Sequence, residues 1–200
     1  SEITVNSSSF VRESTVSVVF DARAVKYPAL PPFHPEINYP EIKTATETGP
    51  GNFVYGMVRE LFCNLGYDIE NYNTEKWNPM KHLISPGDKV VIKPNLAKHE
   101  HHLGNEGLLS TITHGSVLRP IADYINIALQ GSGKIIICDT PVEDSDFKKM
   151  CDVTGIRDTV IYLRQHGYPI ELIDLRKYIT KFFPGNNSKQ FQHDGDPDGY

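Results

Sequence analysis

The amino-acid sequence predicts an α/β protein whose parallel, or mostly parallel, sheet is flanked by helices in three layers. Short apolar runs rich in β-branched residues at 89–93, 134–138 and 170–175 are typical of buried strands. Between them lie segments with apolar residues at three- and four-residue spacing, as in amphipathic helices. The order strand, helix, strand, helix, strand is typical of parallel strands joined by right-handed crossovers.

The remaining elements follow from local patterns. Residues 15–20, TVSVVF, predict a first strand that ends at Asp21 in the same sheet. Apolar spacing predicts a helix over 52–65, with Asn52 as N-cap and Gly66 after its end. A second helix runs to Gln130 from a cap at Thr113 or Ser116. A third covers 156–166, and the acidic stretch 143–154 is typical of a loop.

We expect one domain over residues 1–183, followed by a polar tail at 184–200 that is a truncated hairpin or a disordered end. Within it, the six prolines of residues 27–50 predict an irregular excursion, because proline removes a backbone donor and keeps the preceding residue extended. This excursion is either an insertion beside a functional site or a strap on the surface. The missing initiator Met predicts that a longer protein was trimmed.

Composition excludes several classes of protein. A net charge of −5 predicts that the chain binds neither nucleic acid nor an anionic membrane surface. The longest apolar runs are strand-sized, and the first residues do not resemble a signal peptide. The spacing of Cys63, Cys138 and Cys151 matches no metal or redox motif, which favours buried thiols in a reducing, cytoplasmic setting.

Polar residues follow each predicted strand. Lys93 and Asn95 follow the first, Asp139 and Thr140 the second, and Asp174 ends the third. Because open parallel sheets bind ligands beyond the carboxyl ends of their strands, these side chains predict a site for a small anionic ligand. Lys93 would meet a phosphate or carboxylate, and Asn95 would orient it. The alternative is a structural Lys93–Asp139 ion pair, which is compatible with a ligand that shares it.

The segment THGSVLR adds a predicted helix start to this site. Free N–H groups and the positive end of the helix dipole favour an anion there, next to Thr113 and Ser116. Arg119, three residues after Ser116, could contact the same ligand. His114 is a candidate general acid or base with Asp139, since imidazole titrates near neutral pH. Capping of the helix is the alternative role for Thr113 and Ser116.

Three histidines, His99, His101 and His102, fall within four residues and could form a zinc or iron site with His114. The alternative is a solvated histidine loop, since no HExxH or CxxC pattern accompanies it. An acidic cluster is either a solvated loop or a magnesium site; its members are Glu143, Asp144 and Asp146. The sequence therefore does not identify a cofactor, and a divalent metal is one possibility.

Several enzyme classes are excluded by missing motifs. No GxGxxG follows a strand, which argues against the usual dinucleotide-binding fold. The P-loop pattern GxxxxGK[ST] and the GxSxG nucleophile elbow of α/β-hydrolases are also absent.

Three segments, GDKVVIKPNL, THGSVLRPIADYI and KIIICDTP, resemble the domain of unknown function 362 family, whose members combine an IKPN strand, a THP helix start and a GD[ST]P strand end. The resemblance covers about residues 85–175. It implies an α/β fold whose shared site contains Lys93, Asn95, Thr113, His114, Asp139 and Thr140, and a chain that stops before the family's C-terminal portion. Here THP is THG and Cys138 replaces the glycine. Because the ferredoxin-like cysteine cluster of many members is missing, an iron–sulfur cluster is not supported.

Three functions remain open from the sequence. The first is an enzyme domain acting on an anionic small molecule. The second is a non-catalytic module that binds a ligand or partner through the same crevice or through the proline-rich excursion. The third is a metal-dependent protein that uses the histidine loop.

Overall fold

A computed structural model describes residues 15–185 and 187–193. Its central sheet has three parallel strands in the order β1 (Lys89–Ile92), β2 (Lys134–Asp139) and β3 (Ile170–Asp174). Lys89 lies opposite Lys134, and Asp139 lies opposite Asp174. The carboxyl ends of β2 and β3 therefore lie level on one rim of the sheet, and the residues after β1 reach the same rim. The predicted α/β class with a parallel sheet is confirmed.

Helices fill the connections between these strands. The α-helices of the described residues are α1 (Phe53–Asn64), α2 (Gly104–Leu109), α3 (Gly115–Leu129), α4 (Phe147–Val153) and α5 (Ile156–Gln165), and a single 3-10 turn covers Ile69–Asn71. After β3 the chain forms an antiparallel hairpin from β4 (Tyr178–Phe183) and β5 (Asn187–Gln192). None of the described helices is long and apolar enough to cross a membrane.

One face of the sheet packs against α3 and α5. Ile135 and Ile137 alternate inward on β2, where they meet Leu129 of α3 and Leu163 of α5 in a single apolar cluster. The opposite face is more open, since Val91 on that side of β1 is 57% exposed. A third layer over this part of the sheet is not seen among the described residues, so the three-layer arrangement stays a prediction.

Residues 27–50, called the strap below, contain no helix or strand. The strap is anchored by Phe33, which is 2% exposed and packs on the backbone where α3 and α5 begin. Gly155 has φ +68°, and a Cβ there would lie 2.5 Å from Phe33 Cζ, so only glycine leaves room for the ring. This proline-rich segment is thus held by a side chain rather than by backbone pairing.

A second apolar cluster joins the strap, α1 and α3 around Trp77 and Tyr124, both 0% exposed. It encloses an ion pair in which Arg59 Nε donates to Glu41 Oε1 over 2.7 Å. Tyr124 Oη donates to the same carboxylate oxygen. Buried charges need such partners, because an unpaired carboxylate is costly to transfer from water.

Several predicted elements differ from the structure. Residues 15–20 form no strand, and Val16, Val18 and Phe20 are more than 80% exposed. Their β propensity is high, but none of the described strands pairs with them. Asp21 pairs with Arg23 instead of joining the rim. The acidic stretch 143–154 includes α4, which Asp146 caps by accepting from Lys149 N.

The helices themselves agree well with the patterns. α1 begins after Asn52, whose side chain accepts from Tyr55 N, and α5 lies within the predicted range. The cap of α3 is His114 rather than Thr113 or Ser116. The tail predicted from residue 184 contains β5, so the hairpin crosses the expected boundary between domain and tail.

Candidate functional site

Lys93 and Asp139 meet at the carboxyl rim of the sheet. Lys93 Nζ lies 2.8 Å from Asp139 Oδ1, and the two side chains differ sharply in exposure, 64% for the lysine against 5% for the aspartate. The ammonium also donates to its neighbour's carbonyl, Pro94 O, over 3.1 Å. The ion pair predicted as an alternative is therefore present, and its cationic member faces water.

The Asp139 carboxylate is held by backbone donors as well as by the lysine. Leu96 N donates to Oδ2 over 2.7 Å, and Thr140 N donates to Oδ1 over 2.8 Å. These bonds tie the loop after β1 to the end of β2. They also occupy both oxygens, so Asp139 serves as a fixed negative anchor that positions Lys93.

Asn95 and Thr113 fasten the same loop to the start of α3. Thr113 N donates to Asn95 O, and Asn95 N donates to Thr113 Oγ1, each over 2.9 Å. The Asn95 side chain donates to Thr111 O over 2.8 Å. Both residues therefore lie where the sequence predicted, but these hydrogen bonds join them to each other and to Thr111. They brace the rim.

A cavity of about 370 Å³ opens beside the rim, at the ends of β2 and β3. Its lining residues are Thr140, Leu175, Arg176 and Lys177. Thr140 and Lys177 are exposed, whereas Arg176 is 6% exposed. Thr140 and Lys177 thus lie at the carboxyl ends of the strands, the edge of the sheet at which Lys93 also lies.

Arg176 shapes this cavity from beneath. Its guanidinium binds both carboxylate oxygens of Asp174, with Nη2 2.6 Å from Oδ2, and its Nη1 donates to Ser145 O over 2.7 Å. The same nitrogen, Nη1, reaches two more carbonyls in the loop after β2. Sequence reasoning placed Asp174 at the rim but missed Arg176, although an arginine two residues after a strand-end aspartate is a readable signal.

His114 is buried beneath the strap, in contact with its aromatic residues. Its ring stacks on Tyr27, with centroids 4.4 Å apart and planes 8° apart, and meets Phe33 at 4.9 Å. Nδ1 accepts from Ser116 N over 3.2 Å and lies 2.9 Å from Ser116 Oγ. Burial lowers the pKa of His114 to about 4, so the imidazole is neutral at pH 7.

This depressed pKa makes stability depend on pH. Unfolded histidine takes up a proton near pH 6.5, whereas folded His114 does so near pH 4, so protonation favours the unfolded chain as pH falls between these values. The contribution is complete above pH 6.5. We expect His114→Asn to remove about 2 kcal/mol of the stability lost between pH 7 and pH 5, measured by urea unfolding.

Asparagine is chosen for this substitution because it keeps an N-cap acceptor. His82→Asn is the matched control, since His82 is exposed. An equal loss of stability between the two pH values in wild type and in His114→Asn would show that this imidazole is not the titrating group.

The structure removes Arg119 and Ser116 from the predicted ligand site. Arg119 is 0% exposed: Nη1 donates to Pro32 O and Nη2 to Ala45 O, both in the strap. Ser116 is also 0% exposed and bonds His114. Their interactions are with the protein itself, because the strap, whose position the sequence left open, covers the start of α3.

Arg119 belongs to a buried network that sequence reasoning missed. Its Nε lies 3.0 Å from Asp123 Oδ2, one helical turn away. Tyr55 and Tyr168 both donate hydroxyl bonds to the same carboxylate, over 2.6 and 2.8 Å. Burial, which outweighs the neighbouring guanidinium, raises the pKa of the Asp123 carboxyl. The spacing of Arg119 and Asp123, i and i+4, was the available signal.

The histidine loop does not gather its imidazoles around a common point. His99 Nδ1 accepts from Asp146 N, and His101 Nδ1 accepts from Leu103 N, while the rings of His101 and His102 contact each other. Over residues 15–185 and 187–193, no group of three or more His, Cys, Asp or Glu side chains could hold a metal ion. The predicted metal role of this loop, and that of the acidic cluster, therefore lacks geometric support.

A larger cavity, of about 660 Å³, lies along the outer edge of β3, toward the amino ends of the strands. Arg164 and Glu171 are among its lining residues, but Arg164 donates to Ile170 O and Glu171 pairs with Lys134. Because its charged groups are paired and it lies away from the carboxyl ends of the strands, we place the candidate site at the smaller cavity.

No family model, curated protein or solved structure matches this chain. The resemblance to the domain of unknown function 362 family therefore stays a prediction based on its three sequence segments.

Proposed function

We propose that this chain binds a small anionic molecule, bearing phosphate or carboxylate, at the carboxyl ends of its parallel strands. The observation that supports this most is the unequal exposure of the Lys93–Asp139 pair. The carboxylate is buried and fixed, while the ammonium projects into solvent with one N–H donor to spare. Lysine has three N–H donors, so a ligand oxygen can share it without breaking the pair.

Neighbouring groups extend this binding surface. Thr140 is exposed and follows Asp139 directly, and Lys177 borders the same cavity as Thr140. Two ammonium groups and a hydroxyl suit an anion with several oxygens, because charge-assisted hydrogen bonds are about twice as strong as neutral ones. Asn95 and Thr113 support the rim in this arrangement, and Arg176 forms the floor of the cavity.

The geometry favours ligand binding over catalysis. His114 is neutral, caps α3 and lies under the strap. Asp139 already accepts from Lys93, Leu96 and Thr140. We therefore leave the expected general acid and base roles of His114 and Asp139 outside this proposal, and describe the site as one that recognises an anion. A cytoplasmic setting is part of the proposal and is supported by Cys63 and Cys151, which form no disulfide.

Isothermal titration with pyrophosphate and with citrate at low ionic strength tests the proposal. We expect Lys93→Gln and Thr140→Val each to weaken the binding of at least one anion, by about 10-fold for the lysine, because a charge-assisted hydrogen bond is lost. Lys93→Gln should still fold, since Asp139 keeps two backbone donors.

The control is Lys76→Gln, which removes an exposed lysine elsewhere on the surface. Equal affinities for wild type and Lys93→Gln, or no heat with either anion at millimolar concentrations, would refute anion binding at this rim. If the wild type turned over a bound anion and Lys93→Gln did not, the site would be catalytic rather than only a binding site.

A further inference from the structure

The β4–β5 hairpin stands apart from the core and exposes apolar and cationic side chains together. Phe182, Phe183 and Phe191 are 68%, 47% and 37% exposed. Its bonds to the body include Thr180 N to Glu143 O, and the side chains of Thr180 and Gln190 to the Glu143 carboxylate. A lone two-stranded hairpin is marginally stable in water, so this element is short of a packing partner.

The two faces of the hairpin differ. Thr180 and Gln190 lie opposite each other and face Glu143, which defines the inner face. Side chains alternate along a strand, so the outer face carries the cross-strand pairs Ile179–Phe191, Lys181–Lys189 and Phe183–Asn187. The contacts agree, since both ammonium groups lie over the Phe191 ring, 5.3 and 5.4 Å from its centroid.

The Lys181–Lys189 pair is the unusual feature of this face. Like charges directly opposite each other destabilise an antiparallel ladder. Residues 176–193 contain no Asp or Glu, so the hairpin supplies no counter-charge of its own, although the whole chain has a net charge of −5. Neither Lys181 nor Lys189 forms an ion pair with another described residue, so this face presents two positive charges beside the Phe191 ring.

One edge of the hairpin is open as well. The outer edge of β4 is partly used by Thr180 N, whereas no backbone hydrogen bond joins β5 to a described residue outside β4 and its turn. An open edge offers N–H and C=O groups to a third strand. A strand beside β5 would place one side chain opposite Lys189 and the side chain two residues away opposite Phe191.

We propose that β5 is a docking edge for an extended segment of a partner protein, in which an acidic residue lies two positions from an apolar one. The acidic residue neutralises the lysine pair, and the apolar residue covers Phe191. The opposite face tolerates polar residues, since Ser188, Gln190 and Gln192 line it on β5. A symmetric antiparallel pairing of two β5 strands centred on Lys189 is disfavoured, because it would bring two copies of Lys189 together.

Fluorescence anisotropy with a labelled peptide probe tests this docking edge. The probe alternates threonine with glutamate and valine, so that it matches the spacing of Lys189 and Phe191 on β5. We expect Lys189→Glu and Phe191→Ala each to weaken its binding by about 2- to 5-fold, in line with the size of cross-strand pair energies. Lys76→Glu, the matched control, should bind the probe as wild type does.

A charge reversal separates docking from a loss of folding. The Lys189→Glu variant should bind a probe in which lysine replaces glutamate better than wild type binds it. A probe with proline in its centre should bind neither protein, because proline cannot pair with an edge. Failure of wild type to bind the acidic probe at millimolar concentrations, or unchanged affinity in both variants, would overturn the proposal.

Two further measurements are needed. The first tests whether the hairpin binds nucleic acid instead of an acidic strand, and the second tests whether the hairpin is coupled to the rim. Tighter binding of an oligothymidylate than of the acidic probe would assign the hairpin to nucleic acid and overturn the docking of an acidic strand. The pyrophosphate titration is independent, because Lys189→Glu leaves the residues of the rim unchanged. An altered pyrophosphate affinity in Lys189→Glu would show that the two surfaces are coupled and contradict their separation.

Discussion

Replacement of Arg119 by Met should destabilise the protein by about 3–5 kcal/mol, as expected when one member of a buried ion pair is removed. The substitution leaves the Asp123 carboxylate with only two tyrosine donors in a site that is 1% exposed. It also strips Pro32 O and Ala45 O of their donors, so the strap loses two of its polar attachments. Urea unfolding at pH 7 measures the loss.

An exposed pair of the same chemistry provides the control. Arg23 binds Asp21 at the surface, with its side chain 68% exposed, and Arg23→Met should change stability by less than about 1 kcal/mol. The double variant Arg119→Met, Asp123→Leu should recover part of the loss, because it removes the unpaired charge. Equal effects of Arg119→Met and Arg23→Met would contradict the buried network.

Phe33→Ala should cost about 3–5 kcal/mol, the usual range for removing a buried phenylalanine. Its ring fills the space over Gly115 and Gly155 and lies against His114. The cavity left behind would admit water to the imidazole, so the pKa of His114 should rise from about 4 toward the ordinary value. Urea unfolding and an NMR titration of the His114 ring protons test both expectations on one variant.

Phe20→Ala is the control for this substitution, since Phe20 is 86% exposed. It should leave both the stability and the His114 titration unchanged. A Phe33→Ala variant whose His114 still titrates near pH 4 would mean that the strap does not cause the desolvation of the imidazole.

The parallel sheet could be predicted from sequence because the short runs 90–92 in β1 and 135–138 in β2 are continuously apolar, and helices of clear periodicity separate the three strands. Residues 15–20 have a similar composition, yet they form no strand. Strand formation depends on a partner as much as on propensity, and a sequence pattern does not show whether an edge is available. The hairpin had a local signal in Pro184 and Gly185, which follow the strand-forming run Tyr178–Phe183, whereas β5 is mostly polar.

The positions of some candidate-site residues could be predicted for similar reasons. Lys93, Asp139 and Thr140 follow parallel strands, and strand order alone brings such residues to one rim. The role of Arg119 was missed, because its partners in the strap are more than 70 residues away in the chain. Helical periodicity predicts only its contact with Asp123, which lies one turn further along α3. His114 was placed correctly at the start of α3, but the aromatic cover that makes it neutral comes from the strap.

The most direct test of anion binding at the rim is an amide NMR titration of the chain with pyrophosphate. We expect the largest shifts to fall on the backbone amides of Leu96, Thr140 and Lys177, and Lys93→Gln to suppress them. The largest shifts at the start of α3, along the outer edge of β3 or on the histidine loop would instead place the anion elsewhere. Such a result, or a spectrum that pyrophosphate leaves unchanged, would contradict a binding site at the carboxyl ends of the strands.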